Sequence, residues 1–136
     1  MKRYIKFATV PISDEPKEVR AEVARSSTDE DILVELSEDP DTNVRWWVAT
    51  NSATPLSALI KLLSDSYIPI TAIALNNICN NAKAPLSIMN DLPIERVYEV
   101  ALAAPALPRV KEYAVNLVKK YGTPDMLTLL KKYGAI

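Results

Sequence analysis

The side chains that could carry out chemistry are few in this sequence. The chain has no histidine and a single cysteine, Cys79. Without histidine, histidine-based acid–base catalysis, Ser-His-Asp triads and the usual zinc sites are excluded. The two glycines, Gly122 and Gly134, form no glycine-rich phosphate loop. Cys79 lies in an apolar stretch without a neighbouring base, so we interpret it as a packed small residue. We therefore predict no enzyme activity and no cofactor.

One acidic cluster, Asp29-Glu30-Asp31, has a composition that could bind a metal ion. No second cluster and no histidine completes a site around it. Acidic residues at the start of a helix stabilise its dipole by about 0.3–1 kcal/mol each. We interpret this cluster as a helix start and predict no metal site.

The residues best suited to binding a partner are an arginine–tryptophan pair and a group of asparagines. Arg45 and Trp46 are adjacent, and arginine beside an aromatic residue is typical of interface hot spots. Trp46 could equally fill a groove towards the neighbouring helices. Asn76 and Asn80 stand at i and i+4, where amides can bind a ligand. Asn77 and Asn81 are better explained as helix caps. Arg45, Trp46, Asn76 and Asn80 are our candidate partner-binding residues.

These residues lie in a helix–turn–helix unit that recurs along the chain. Val44, Trp47 and Val48 share one helical face, with Asp41 and Asn43 before them as caps. We expect Asn51 to end this helix in the left-handed conformation. Thr54 is then expected to cap the next helix, with Pro55 at its first position and an apolar stripe from Leu56 to Leu63.

Copies of the unit flank it on both sides. The marks at Asp39, Val44, Arg45, Val48 and Ala49 recur 25 residues earlier, from Asp14 to Ala24. At a shift of 26 residues, Asp39, Val44, Trp47 and Asn51 are matched by Asp65, Ile70, Ile73 and Asn77. Thr71 replaces the arginine in this third unit. The third unit has a longer first helix, which we predict over residues 69–81. A period of 20–50 residues is the signature of a solenoid.

Arg20 and Arg45 occupy the same position in two units, and an acidic loop precedes each of them. We predict a ladder of Arg–Asp pairs between neighbouring units, and the alternative is that these arginines recognise a partner. Arg20, Asp39, Asp41 and Trp47 are therefore the candidate structural residues between repeats.

The segment DPDTNVRWWVATNSATPLSALIKL resembles the leucine-rich-variant repeat, a helical relative of HEAT and armadillo repeats, and VRAEVARSSTDEDILVEL is a partial echo. The resemblance covers residues 14–92 best. It implies an all-α fold in which pairs of a short helix and an α-helix stack into a right-handed α-solenoid. Its motif residues are packing and capping positions, so the resemblance implies no catalytic residue.

We expect one domain over residues 1–136 with about eight or nine helices. Residues 1–13 are predicted to form a short extended N-terminal arm or cap. The repeats occupy residues 14–38, 39–65 and 66–92, and residues 93–136 form degenerate C-terminal repeats and a cap. No apolar run approaches the roughly 18 residues of a membrane span, and no signal peptide is evident, so we expect a cytoplasmic protein.

Charge is unevenly distributed although the net charge is −1. Residues 14–41 carry eleven acidic against three basic residues, and residues 109–136 carry six basic against two acidic residues. The sequence favours a non-catalytic scaffold for an unknown protein or peptide partner. One alternative is nucleic-acid binding, motivated by the C-terminal lysines but opposed by the acidic N-terminal half. The other is head-to-tail self-association of the acidic and basic ends.

Overall fold

The computed structural model describes residues 11–80, 92–103 and 108–136. These residues contain eight α-helices and one short 3-10 helix, Ile12–Asp14, which confirms the all-α class. The helices are α1 (Lys17–Ser26), α2 (Glu30–Leu36), α3 (Thr42–Thr50), α4 (Leu56–Leu63), α5 (Ile68–Asn80), α6 (Ile94–Ala103), α7 (Pro108–Tyr121) and α8 (Pro124–Lys132). Residues 1–10 of the predicted N-terminal arm and the second helix of the third repeat lie outside the described residues. The described end of the arm enters the 3-10 helix Ile12–Asp14 and is not extended there.

Short polar side chains begin several of these helices. The Asp29 carboxylate accepts the Asp31 and Ile32 amides at the start of α2, which accounts for the acidic cluster there. The Asp41 carboxylate does the same for Asn43 and Val44 at the start of α3. Thr123 caps α8 through the Met126 amide, with Pro124 following it. Each cap satisfies amides that lack a partner within the helix.

Two residues at the turn after α3 differ from the prediction. Pro55 occupies the cap position of α4, where Thr54 was predicted. Thr54 is fully buried, and its hydroxyl donates to the Val48 carbonyl at 2.7 Å. Asn51 is extended, with φ −73° and ψ 120°, rather than left-handed. Its side chain reaches the preceding unit in that conformation, and Thr54 satisfies a carbonyl at the end of α3.

The helices pack in sequence order. Helix α1 packs against α3, α3 against α5 and α5 against α7, while α2 packs against α4. Consecutive helices also contact each other, α4 with α5 and α6 with α7 most extensively. One connected apolar core runs through these contacts from Ile12 to Leu130, both fully buried. No helix in the described ranges is long and apolar enough to cross a membrane.

Candidate binding surface

The two repeated arginines each form an ion pair with an aspartate at the boundary with the next unit. Arg20 donates from Nε and Nη2 to the Asp39 carboxylate at 2.8 and 3.2 Å. Arg45 donates to Asp65 in the same way, at 2.7 and 3.4 Å. The two arginine side chains are each 14% exposed, and the aspartate side chains are 6% and 4% exposed. The pairs are therefore largely desolvated, where a fork-shaped guanidinium matches a carboxylate best.

The Nη1 atom of each arginine donates to backbone carbonyls in the loop that precedes the arginine's own helix. Arg20 Nη1 donates to the Glu15 carbonyl at 2.6 Å, and Arg45 Nη1 donates to the carbonyls of Asp39 and Pro40 at 2.9 and 3.1 Å. Arg45, a candidate for partner binding, thus donates its hydrogen bonds to Asp65 and to the loop before its own helix. Its geometry is that of a joint between units.

Asp39 and Asp65 have a second role in addition to the ion pair. Their Oδ1 atoms accept the amides of Asp41 and Tyr67, both at 2.9 Å. One carboxylate thereby fixes a turn and receives an arginine from the preceding unit. The hydrogen bond that Arg20 donates to the Asp39 carboxylate raises the pKa of Arg20, and the nearby Asp41 and Glu18 carboxylates act in the same direction.

The third unit replaces its arginine with a residue from a different helix. Thr71, at the arginine position, is fully buried, and its hydroxyl donates to the Asp65 carbonyl at 3.5 Å. Arg96 of α6 donates to the same carbonyl from Nη2 and pairs through Nη1 with Glu99. Arg96 was not predicted from the sequence, although it follows Thr71 by 25 residues, the spacing that separates Arg20 from Arg45. The available signal was Thr71, which stands at the position where the other two units have an arginine.

Asparagines form a second ladder across the same units. The Asn51 side chain donates to the Ala24 and Ser27 carbonyls, at 3.0 and 2.8 Å. Asn77 donates to the Ala49 and Asn51 carbonyls, both at 2.9 Å. Each asparagine therefore caps the C-terminal end of the corresponding helix in the preceding unit. These bonds join α1 to α3 and α3 to α5.

The other candidate residues are more accessible. The Asn80 side chain is exposed, and its Nδ2 donates to the side-chain Oδ1 of Asn76 at 3.0 Å, so these two amides form one polar pair on α5. Trp46 is half-buried and packs against the core. Trp47, a candidate structural residue, also packs against the core, but it is half-buried as well and lines a surface groove.

That groove lies between the start of α1 and the start of α3. Its volume is about 370 Å³, and its lining residues are Lys17, Glu18, Ala21, Asp41, Asn43 and Trp47. The sequence pattern placed Trp47 and Asp41 at structural positions and did not show that α1 and α3 leave a space between them. The side chains around it are two carboxylates, one ammonium, one amide and one indole.

The described residues contain no group of three or more acidic, cysteine or histidine side chains arranged to hold a metal ion. Cys79 is a free thiol of intermediate burial. Burial raises the pKa of the Tyr113 phenol above its ordinary value of 10.0, and the charge of Cys79 adds to that effect. Tyr113 lies on α7 and Cys79 on α5, two helices that pack against each other.

No protein-family model matches this chain, and no curated protein sequence or solved structure matches it either.

Proposed function

We propose that this chain is a leucine-rich-variant or HEAT-like helical-repeat module that coils as a right-handed α-solenoid and serves as a protein-interaction scaffold. The partner is a protein or peptide that lies along the surface of α3 and α5. We propose no catalytic role, because the chain has no histidine and the arginines of its repeats are occupied by ion pairs.

The observation that supports the repeat architecture best is that neighbouring units are joined twice by the same chemistry. Arg20 binds Asp39 as Arg45 binds Asp65, and Asn51 caps the preceding helix as Asn77 does. The order of packing, α1 on α3, α3 on α5 and α5 on α7, is the order that stacked units require. Stacked units leave an extended outer surface, which repeat proteins use for binding.

The candidate contact surface consists of residues that the joints do not consume. Trp46 is half-exposed on α3, and the Asn76–Asn80 pair occupies α5 with Asn80 exposed. Aromatic side chains supply large contact areas, and amides hydrogen-bond to peptide backbone. Arg45 contributes to this surface indirectly, since its ion pair holds α3 against the next unit.

A site-specific cross-linking experiment tests this proposal. A photoreactive residue at Thr50 or Asn80, both exposed on α3 and α5, should capture a discrete partner in cells. The same residue at Ser57 or Lys61, exposed on α4, is the matched control and should capture much less. Equal capture from both helices would contradict a partner surface on α3 and α5, and absence of any protein adduct would contradict the scaffold role.

Two other functions rank behind this one. Exposed acids on α1 and α2 and exposed lysines at the ends of α7 and α8 favour head-to-tail self-association. Such oligomers would dissociate with added salt in light scattering. The four lysines, Lys119, Lys120, Lys131 and Lys132, also motivate nucleic-acid binding, but they occupy last turns, where cations complement the helix dipole. A gel-shift assay at low salt tests nucleic-acid binding, and no retardation of the nucleic acid would contradict it.

A further inference from the structure

The groove between α1 and α3 combines an aromatic side chain with carboxylates on both of its walls. Glu18 stands on α1, and Asp41 stands at the start of α3. Both carboxylates contribute to raising the pKa of Arg20, so their fields overlap in this region. Lys17 is the one cation among the lining residues, which leaves the lining with a net negative charge.

The carboxylates of the groove retain capacity for a ligand. Asp41 accepts the amides of Asn43 and Val44 at Oδ1, at 2.9 and 3.2 Å, so its Oδ2 atom is left for other contacts. Glu18 is exposed and takes part in no ion pair among the described residues. Arg20, beside the groove, directs its hydrogen bonds to the Asp39 carboxylate and the Glu15 carbonyl and not to these two carboxylates.

Trp47 adds the second requirement for recognition of a cation. It is anchored against the core and half-buried, so its ring is held in place and yet reaches the groove. A guanidinium or ammonium group near an indole face is attracted by the ring quadrupole. Arginine suits this combination best, because its planar fork can stack on the ring and bind carboxylate together.

We infer that the groove binds an arginine or lysine side chain from a basic segment of a partner protein. The volume of about 370 Å³ is in the range of small ligand sites and accommodates one long side chain. The surrounding residues 14–41, with eleven acids against three bases, provide the long-range attraction for such a segment. The inference rests on the proposed scaffold function and names the chemistry of its partner.

A nuclear magnetic resonance titration with a defined probe tests the site. The probe is the peptide acetyl-Gly-Arg-Arg-Gly-amide, and its counterpart carries neutral citrulline in place of both arginines. The arginine peptide should shift the Trp47 indole N–H and the Asn43 side-chain amide in a saturable manner. The citrulline peptide should leave them in place. Equal shifts from both peptides would overturn recognition of charge.

Three variants separate the groove from the general acidity of this end. Glu18→Gln and Asp41→Asn should each lower the affinity of the groove for the arginine peptide by about two- to fivefold, as expected for a single accessible ion pair. Asparagine retains the helix cap at position 41, so α3 is preserved. Glu30→Gln removes the same charge from an exposed position on α2 and should change affinity by less than twofold. Equal weakening by all three variants would overturn a specific site.

This titration and the cross-linking experiment fail independently. If the peptide does not shift the groove resonances while Asn80 still captures a partner, the groove inference is wrong and the scaffold function stands. If the peptide binds in the groove while no protein adduct forms on α3 and α5, the proposed scaffold surface is wrong.

Discussion

At the scale of single residues, the arginine–aspartate joints are the part of this molecule that the sequence predicted in most detail. Arg20 and Arg45 recur at one repeat position, and an acidic loop precedes each, which predicted Arg–Asp pairs between units. Arg20 pairs with Asp39, and Arg45 pairs with Asp65. Arg96 was missed because its hydrogen bond reaches the backbone carbonyl of Asp65 and not an aspartate carboxylate further along the chain. A periodic pattern identifies contacts that recur and is silent on those made once.

Replacing Asp65 with asparagine should destabilise the protein by about 3 kcal/mol, because the largely buried Arg45 loses its counter-charge. Asparagine can still accept the Tyr67 amide, so the turn itself is retained. Adding Arg45→Met to Asp65→Asn should recover part of the loss, since no unpaired charge is then left. Urea unfolding followed by circular dichroism measures both changes.

The matched control is Glu38→Gln, which removes a carboxylate from the Lys61 pair, where both side chains are more than half exposed. That change should cost less than about 1 kcal/mol. If Asp65→Asn costs no more than Glu38→Gln, the joints contribute little to holding the units together.

At the scale of helices, the sequence predicted where most elements begin and less reliably where they end. Asp29 and Asp41, both predicted at helix starts, cap α2 and α3 by accepting amides two and three residues further along the chain. Thr54 was predicted at the cap position of α4, which Pro55 occupies, and its buried hydroxyl donates to the Val48 carbonyl at the end of α3. Asn51 was assigned a backbone role, although its side chain serves a helix 24 or more residues earlier. Such choices depend on tertiary neighbours, which local sequence does not contain.

The contact between α5 and α7 should make stability depend on pH in the alkaline range. Burial raises the pKa of Tyr113 in the folded state, so the native protein retains this proton when the unfolded chain releases it. Its stabilising contribution is therefore complete below the unfolded tyrosine pKa of about 10 and declines as the pH rises beyond it. Unfolding in urea between pH 8 and pH 11 should show a steeper loss for the wild type than for Tyr113→Phe.

Cys79→Ser provides the control for the neighbouring thiol, since it removes the smaller, charge-dependent contribution and leaves burial in place. Its pH dependence should lie between those of the wild type and Tyr113→Phe. Identical curves for all three proteins would show that Tyr113 ionises as freely in the folded state as in the unfolded chain.

At the scale of the whole molecule, the helices follow one another in contact as they do in sequence. Helix α1 meets α3 and α7 meets α5, and the extensive contacts are made between near neighbours along the chain. The charge pattern follows the same order, with the exposed acids on α1 and α2 and the exposed lysines on α7 and α8. In such an arrangement, damage to one end should be felt there first.

Leu33→Ala tests that expectation, because Leu33 is fully buried on α2 near the N-terminal end. Removal of a buried leucine side chain costs about 2–5 kcal/mol. Hydrogen exchange should accelerate in α1 and α2 while the amides of α7 and α8 keep their protection. Leu130→Ala on α8, equally buried, is the mirror control and should give the opposite pattern. Uniform acceleration in both variants would indicate one cooperative bundle instead.

The double use of Asp39 and Asp65 has a consequence for how this chain can change in length. Within residues 39–64, the Asp39 carboxylate accepts Arg20, and Arg45 donates to Asp65. The Asn51 side chain donates to the Ser27 carbonyl of the preceding unit, and the Asn51 carbonyl accepts the Asn77 side chain of the following unit. The donors and acceptors of both joints therefore lie within one continuous segment. Duplicating or deleting that whole segment would leave every arginine at the new junction opposite an aspartate. An insertion or deletion that ends within the segment would leave an arginine or an aspartate unpaired and largely buried.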